Sequence, residues 1–286
     1  MTTRPDAHRP PVCARTHTLA CTLLLSALAS ALGAARALGV ADGPVHAKAT
    51  AVSIPVFVEE SLDNNGRQLP LGKNSQTILN FIARESGLRL EVVRLPWNRA
   101  LLKAAQGEGL VYGISKNRER LQVYAYSQPI LTAKVWAITY GEPRPNLQTA
   151  SDLKGKVISI GRGVSHGMAF EEARKHIFRV EEDPASQAAR FKKLMAQRCD
   201  AMLFSFNQFV RPEEVESHLQ KNMLPGFKDP AFNGKVFYAS QKPLFLDTIH
   251  IASSKGHFNN ELETIDRVIQ QAEKSGELNR LTDSAP

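Results

Sequence analysis

The chain has 286 residues, 43% of them hydrophobic and 22% charged, with a formal net charge of +8. That length supports one large domain or two modest ones, each with its own core, and the composition excludes a disordered protein. It also argues against nucleic-acid binding: residues 1–50 carry +3 of the charge, and the later basic residues are scattered and paired with acids, as in EEARKH and NRER.

At the N-terminus Arg4, Arg9 and Arg15 precede the apolar run LACTLLLSALASALGA, and the small-residue pattern Ala35-Arg36-Ala37 follows it. This layout predicts a secretory signal peptide over residues 1–37. The run is shorter than the roughly 20 apolar residues a membrane span needs. Cys21 opens the run instead of closing it, which argues against lipid attachment there. Loss of the leader removes Cys13 and Cys21 and leaves Cys199, beside the apolar AMLF, as a buried side chain with no disulfide partner. No HExxH, CxxC or clustered His/Asp/Glu spacing occurs, so neither a metal nor another cofactor is expected.

From about Ala51 strands and helices alternate. VSIPVFV reads as a strand, and GKNSQTILNFIARESG as a helix with Asn74 as cap candidate, Ile78, Leu79 and Ile82 on one face, and Gly87 as the stop. LRLEVVRL alternates like a half-buried strand, PWNRALLKAAQG is a helix opened by proline, and LVYGI is a short buried strand. A second such series follows GEPRP. SDLKGK is a capped turn, VISI a strand ending in GRG, SHGMAFEEARKH and SQAARFKKLMAQ are helices, and AMLF is a strand. TIHIAS is a further strand. NNELETIDRVIQQAEKSG is an amphipathic helix carrying Leu262, Ile265, Ile269 and Ala272 at spacings of three and four. The order implies an α/β protein with mostly parallel sheets covered by helices, twice over.

Five marks occur in order along residues 51 to 282: PWNRAL, SKNRER followed seven residues later by the serine of SQP, SDLKGKVISIGRG, QRCDAMLF, and the terminal SGELNRL. In this arrangement the chain resembles the type II periplasmic solute-binding proteins of family 3, which include the amino-acid-binding components of ABC importers. The resemblance implies a two-lobed fold, each lobe a mostly parallel sheet flanked by helices. Lobe one would comprise 51–135 plus 239–286 and lobe two 136–238, with hinge crossings near Leu131–Val135 and Tyr238–Lys242. It further implies a monomeric periplasmic protein that passes a small solute to a membrane permease.

The same resemblance assigns ligand contacts. Arg120 matches the arginine that grips the ligand carboxylate, for which a guanidinium suits through paired charge-assisted hydrogen bonds. Ser115, after the strand holding Gly113, matches its helping hydroxyl, and Trp97 the aromatic wall, although a tryptophan opening a helix also suits a core. Ser165 matches the hydroxyl of lobe two, with His166 beside it either as a contact or as a plain helix-start residue. Arg118, Glu119 and Arg162 read as surface charges. After QRCDAMLF the amino-acid binders carry an acid for the ligand ammonium, and here that position is Ser205. A buried ammonium without an acid costs several kcal/mol. An ordinary α-amino acid is therefore not the expected ligand unless Glu59, Glu60 or Asp247 supplies the acid, each of which also reads as a solvated loop charge; a carboxylate-bearing, less cationic or differently arranged solute fits better. The leading expectation is a binding protein without catalysis. The alternatives are an enzyme on this scaffold resembling cyclohexadienyl dehydratases, with His166 or a glutamate as acid, and a sensor component.

Overall fold

The computed structural model of the protein describes residues 53–63, 66–141, 146–184 and 186–283. The leader expected at 1–37 lies outside these residues.

The first run of elements is β1 (Ile54–Glu59), α1 (Lys73–Ser86), β2 (Leu90–Leu95), α2 (Trp97–Ala105), β3 (Leu110–Ser115), a single turn α3 (Arg120–Val123) and β4 (Tyr124–Tyr126). Gly87 ends α1 in the left-handed region at φ 69°, as its sequence position suggests. The cap does not fall where Asn74 pointed. The helix starts two residues earlier than that cap implies, at Lys73, Gly72 takes the cap position without a side-chain bond, and the Asn74 amide instead faces the Thr282 carbonyl near the end of the chain's last helix. Pro96 precedes α2, where its missing N–H removes no helical bond.

The second run is β5 (Leu131–Tyr140), a capped turn at Ala150–Leu153, β6 (Val157–Gly161), α4 (Gly167–His176), β7 (Arg179–Asp183), α5 (Gln187–Met195), β8 (Ala201–Phe206), α6 (Pro212–His218) and β9 (Phe237–Ala239). The turn is held by Thr149 and Asp152 bonding each other's backbone N–H groups, and α5 by the Ser186 hydroxyl accepting from Ala189 N. The chain closes with β10 (Phe245–Ser254), α7 (Asn259–Lys274) and α8 (Glu277–Asp283).

The strands join in the order β2-β1-β3-β10-β5-β8-β6-β7, with β4 on β10 and β9 on β5. β1 is parallel to β2 and β3, and β6 is parallel to β7 and β8. These are the two parallel halves of a two-lobed molecule. The long strands β5 and β10 connect them. Leu131–Val135 of β5 pair antiparallel with Phe245–Ile249 of β10, while Lys134–Ile138 pair with β8. β9 also pairs with β5, at Ile138–Tyr140.

Each lobe has its own apolar core. In the first, Ile78 and Ile82 of α1 meet Val56, Leu110 and Ile251 from the sheet and Ile265 and Ile269 from α7. In the second, Phe191 of α5 is fully buried, with Phe204, Phe227, Phe232 and Phe237 at ring-centroid distances of 5.6, 5.7, 6.3 and 4.9 Å. Edge and offset contacts of this kind add to the burial of each ring. Lys193, on the same helix, ties Glu181 and Asp183 of β7 at 2.8 and 2.7 Å. Phe191→Ala removes the centre of this cluster and is expected to cost about 3–5 kcal/mol in urea unfolding. A loss below about 1 kcal/mol would contradict the packing.

Candidate functional site

A cavity of about 350 Å³ opens between the lobes. It lies past the carboxyl ends of β1 and β3, against the start of α2 and the turn from β6 to α4, the region where open α/β folds present loops and free N–H groups. Of the residues marked in the sequence, Glu59, Trp97, Gly113, Ser115, Arg120 and Ser165 line it. Arg94, Ser75 and Tyr112 line it too, and sequence reasoning did not single them out. Arg94 is partly a fastener: its Nε and Nη1 donate to the carbonyls of Glu59 and Leu69 at 3.0 and 3.1 Å, tying the β1–α1 connection over the cavity.

Arg120 is the most constrained of these side chains. Asn117 Oδ1 accepts from its backbone N–H at 2.8 Å, fixing the start of α3. Arg120 as a whole is 9% exposed, so Nη1 and Nη2 need partners. Nη1 donates to the Ser115 carbonyl at 3.1 Å, and Nη2 crosses to the other lobe and donates to the Gly163 carbonyl at 2.7 Å. Trp97 Nε1 donates to that same carbonyl at 3.0 Å, and its ring lies 5.9 Å from the guanidinium carbon. Two residues marked as ligand contacts therefore also latch the lobes together. Gly163 makes the approach possible: it sits at φ 72°, and a Cβ there would stand 1.8 Å from Asn98 Oδ1. Arg118 and Glu119 are exposed and line a separate outer groove with Met168 and Lys175.

Ser115 Oγ makes a second cross-lobe contact, 3.0 Å from the Ser165 carbonyl, and also lies 2.5 Å from Asp247 Oδ2. Asp247 is not a solvated loop charge. It sits within β10 opposite Ala133, is 3% exposed, and does not line the cavity. Burial pushes its carboxyl up to about 6, against the opposing pull of the Ser115 hydrogen bond and the Arg120 charge. Glu60 also falls outside the cavity lining and accepts from Gln68 Nε2 at 3.1 Å. Glu59 alone among the three candidate acids faces the cavity.

His166 and Ser205 stand apart from the cavity lining but meet each other, His166 Nδ1 lying 3.1 Å from Ser205 Oγ. The imidazole is buried, its Nε2 has no hydrogen-bond partner, and it precedes α4 as the cap residue. Burial, with the positive fields of Arg190 and Arg120, pushes its pKa down to about 3, so the ring is neutral. The Ser165 hydroxyl is likewise engaged, donating to Glu171 Oε1 at 2.7 Å. Cys199 is buried and its thiol is pushed up to about 11 mainly by that burial, as expected of an inert side chain.

Like Arg94, a second arginine escaped the sequence reading. Arg190 on α5 is 7% exposed; its Nε donates to Ser159 Oγ at 3.1 Å and its Nη2 to the carbonyls of Ser159 and Leu203 at 2.8 and 3.3 Å. Burial lowers its pKa to about 10 while Asp183 counteracts, and its field reaches Glu59. Glu59 keeps an exposed surface at the cavity, and partial desolvation by the protein around it raises its pKa, with Arg190 and then Arg94 opposing. The run AARFKK gave no cue, because an arginine inside a basic amphipathic helix reads as a solvated face.

No known protein-family profile matches the chain, and no curated protein matches it by sequence. Solved structures match it in fold. The amino acid ABC transporter substrate-binding protein AbpA from Streptococcus pneumoniae, bound to L-arginine, is 20% identical with a TM-score of 0.57, over 81% of this chain and 93% of its own. Holo ArgBP from T. maritima is 20% identical with a TM-score of 0.57, over 77% and 90%. The GluR0 ligand-binding core in complex with L-glutamate is 17% identical with a TM-score of 0.61, over 82% and 98%. The chain thus has the two-lobed type II fold of periplasmic binding proteins, as its motif order suggested.

A neutral His166 has a measurable signature. Its imidazole nitrogen shifts are expected to remain those of the neutral ring between pH 7 and 5, whereas an ordinary histidine titrates near 6.5. Because the folded-state pKa is depressed, the stability this ring contributes is present above about pH 6.5 and is lost progressively as the pH falls towards 3. An imidazolium signal at pH 5 in the folded protein would refute this.

Proposed function

We propose that the chain is an extracytoplasmic solute-binding protein that captures a small carboxylate-bearing solute between its lobes and delivers it to an ABC-type importer. In this reading it is a monomer in the periplasm, lobe one is 51–135 plus 239–286, and lobe two is 136–238. The observation that carries the reading is the inter-lobe cavity with Arg120, Ser115 and Trp97 on one wall and Ser165 on the other. Arg120 retains N–H donors beyond the two given to carbonyls, so it can bond a carboxylate while holding the lobes. Closure around the solute is the change that a permease reads.

Glu59 sharpens the ligand class. With Ser205 where amino-acid binders carry an acid, Glu59 is the carboxylate available to a cationic group, and Trp97 and Tyr112 supply aromatic surface in the same cavity. The solute is then a small molecule with a carboxylate for Arg120 and an amine or guanidine facing Glu59. The solved relatives named above with bound arginine or glutamate fall in the same broad class. An enzyme on this scaffold needs a positioned acid or base at the cavity. Of the acids that reading offered, His166 or a glutamate, His166 is neutral, buried and outside the lining, which weighs against it in that role.

A thermal-shift panel of amino acids, dicarboxylates, opines and polyamines tests the proposal. Saturable stabilisation by a carboxylate solute recovered unchanged is the expected outcome, and turnover of prephenate or arogenate would overturn it. With the solute that scores, Arg120→Ala is expected to weaken binding by about 100-fold or more, the loss of two charge-assisted bonds. Arg118→Ala should leave it within about threefold, as an exposed charge outside the cavity. Equal effects of the two substitutions would refute the assignment. Glu59→Gln should discriminate against cationic solutes while sparing plain dicarboxylates, read as a change in the ratio of their affinities.

A further inference from the structure

Ser115 stands where three chain segments meet, and its hydrogen bonds raise a question of proton count. Its Oγ is 2.5 Å from Asp247 Oδ2 and 3.0 Å from the Ser165 carbonyl oxygen. Oxygens this close share a proton. A serine hydroxyl has one to give and a carbonyl has none, so the second must come from Asp247. With Asp247 ionised, the hydroxyl would turn to the carboxylate and the Ser165 carbonyl would face a lone pair. We infer that Asp247 is a positioning residue for closure: in the closed molecule it is protonated and donates to Ser115 Oγ, which in turn donates across the lobes to Ser165. The inference rests on the reading that the lobes open and close around the cavity.

The surroundings favour the neutral acid. Facing Asp247 are Ser115 from β3, Arg120 from α3, Ala133 from β5 and, from the start of α4, Gly167 with the neutral His166 beside it. A Cβ on Gly167 would come within 2.7 Å of Asp247 Oδ1, so the helix start closes over the carboxyl and shuts out water. Arg120 acts on it only through its field, since Nη1 and Nη2 go to the carbonyls of Ser115 and Gly163. Desolvation therefore prevails and holds the carboxyl near 6 instead of 3.8. Glu171, the other acid on this side of α4, is bonded to the Ser165 hydroxyl.

The sign of the linkage follows. The closed form binds the proton more tightly than a solvated carboxylate does. Its proton-linked advantage is complete below pH 3.8 and is lost as the pH rises through about 6. Between pH 7 and pH 5 the balance shifts towards the closed form by about tenfold. Closing draws in a proton chiefly between about pH 4 and 6, so capture is favoured at a mildly acidic outer surface and release as the pH rises.

A disulfide lock tests this directly. A Cβ at Gly163 would stand 3.0 Å from Asn98 Cγ, close to the Cβ-to-sulfur spacing across a disulfide. Asn98→Cys with Gly163→Cys, in the full chain with Cys13 and Cys21 replaced by serine, should therefore trap the closed state on oxidation. The Asp247 carboxyl carbon resonance, assigned by its loss in Asp247→Asn, is expected to titrate near 6 in the oxidised protein and nearer to 4 after reduction. Titration near 4 in the locked protein overturns the inference and leaves closure standing. Because a cysteine at Gly163 is strained at φ 72°, the unsubstituted protein saturated with the solute that scores in the thermal-shift panel is read alongside: titration near 4 there overturns the inference, and saturation with no change in scattering radius overturns closure. At pH 7.5 the Asp247→Asn protein, whose amide donates to Ser115 without titrating, should crosslink about tenfold faster or more, whereas Asp247→Ala should not. Equal rates in the three proteins also overturn it.

Discussion

The buried guanidinium of Arg120 needs acceptors, and the nearest come from both lobes. An arginine this enclosed is tolerable only when its donors are paired. The Ser115 carbonyl supplies one acceptor from its own lobe, and the Gly163 carbonyl supplies the other from across the cavity. That demand links the features of the cleft. It brings the β6–α4 turn close, which requires glycine at 163. It holds Trp97 against the same carbonyl, and it brings Ser165 over Ser115. The cavity is the space that remains when these contacts are made.

Two shared strands allow the lobes to meet in this way. β5 and β10 each run from one half of the sheet into the other, so the crossing is made of hydrogen-bonded strand and not of slack loop. Motion at such a crossing comes from twisting paired strands, and it carries the buried Asp247 with it. Where the chain first crosses, the isoleucine-rich core of the first lobe ends at Ile130 and Leu131 and the phenylalanine cluster of the second begins at Trp136, with no residue shared between them. Each lobe can therefore move as a packed body while the strands between them flex.

Much of this was legible in the sequence, for physical reasons that differ from place to place. The alternating strands and the helices with apolar stripes announced themselves because burial on one face leaves a period. Ser115, Trp97, Arg120 and Ser165 were marked through the resemblance, by their places in SKNRER, PWNRAL and the turn after VISIGRG, and not by any local period. The burial of Asp247 was not legible, because it depends on α4, some 80 residues earlier in the chain, starting against β10. Arg190 was hidden for the opposite reason: its helix has a proper amphipathic pattern, and the sequence does not show that its guanidinium folds back under β6 and β8. The stretch from α6 to β9 was unread because its turns are short and interrupted by Pro225 and Pro230, leaving no run long enough for periodicity to show.

The Gly163 carbonyl has a further consequence. It accepts from Trp97 and Arg120 together, and it is a main-chain atom whose position is set by the turn and not by any side chain of the second lobe. The docking of the lobes is thus written largely in backbone on one side, while under the proposed function discrimination among solutes would fall to side chains such as Glu59, Ser75 and Tyr112. These two duties are separable. A designer seeking a reporter for a new small molecule could redraw the cavity wall while leaving the docking contact untouched, and still read occupancy from the same movement.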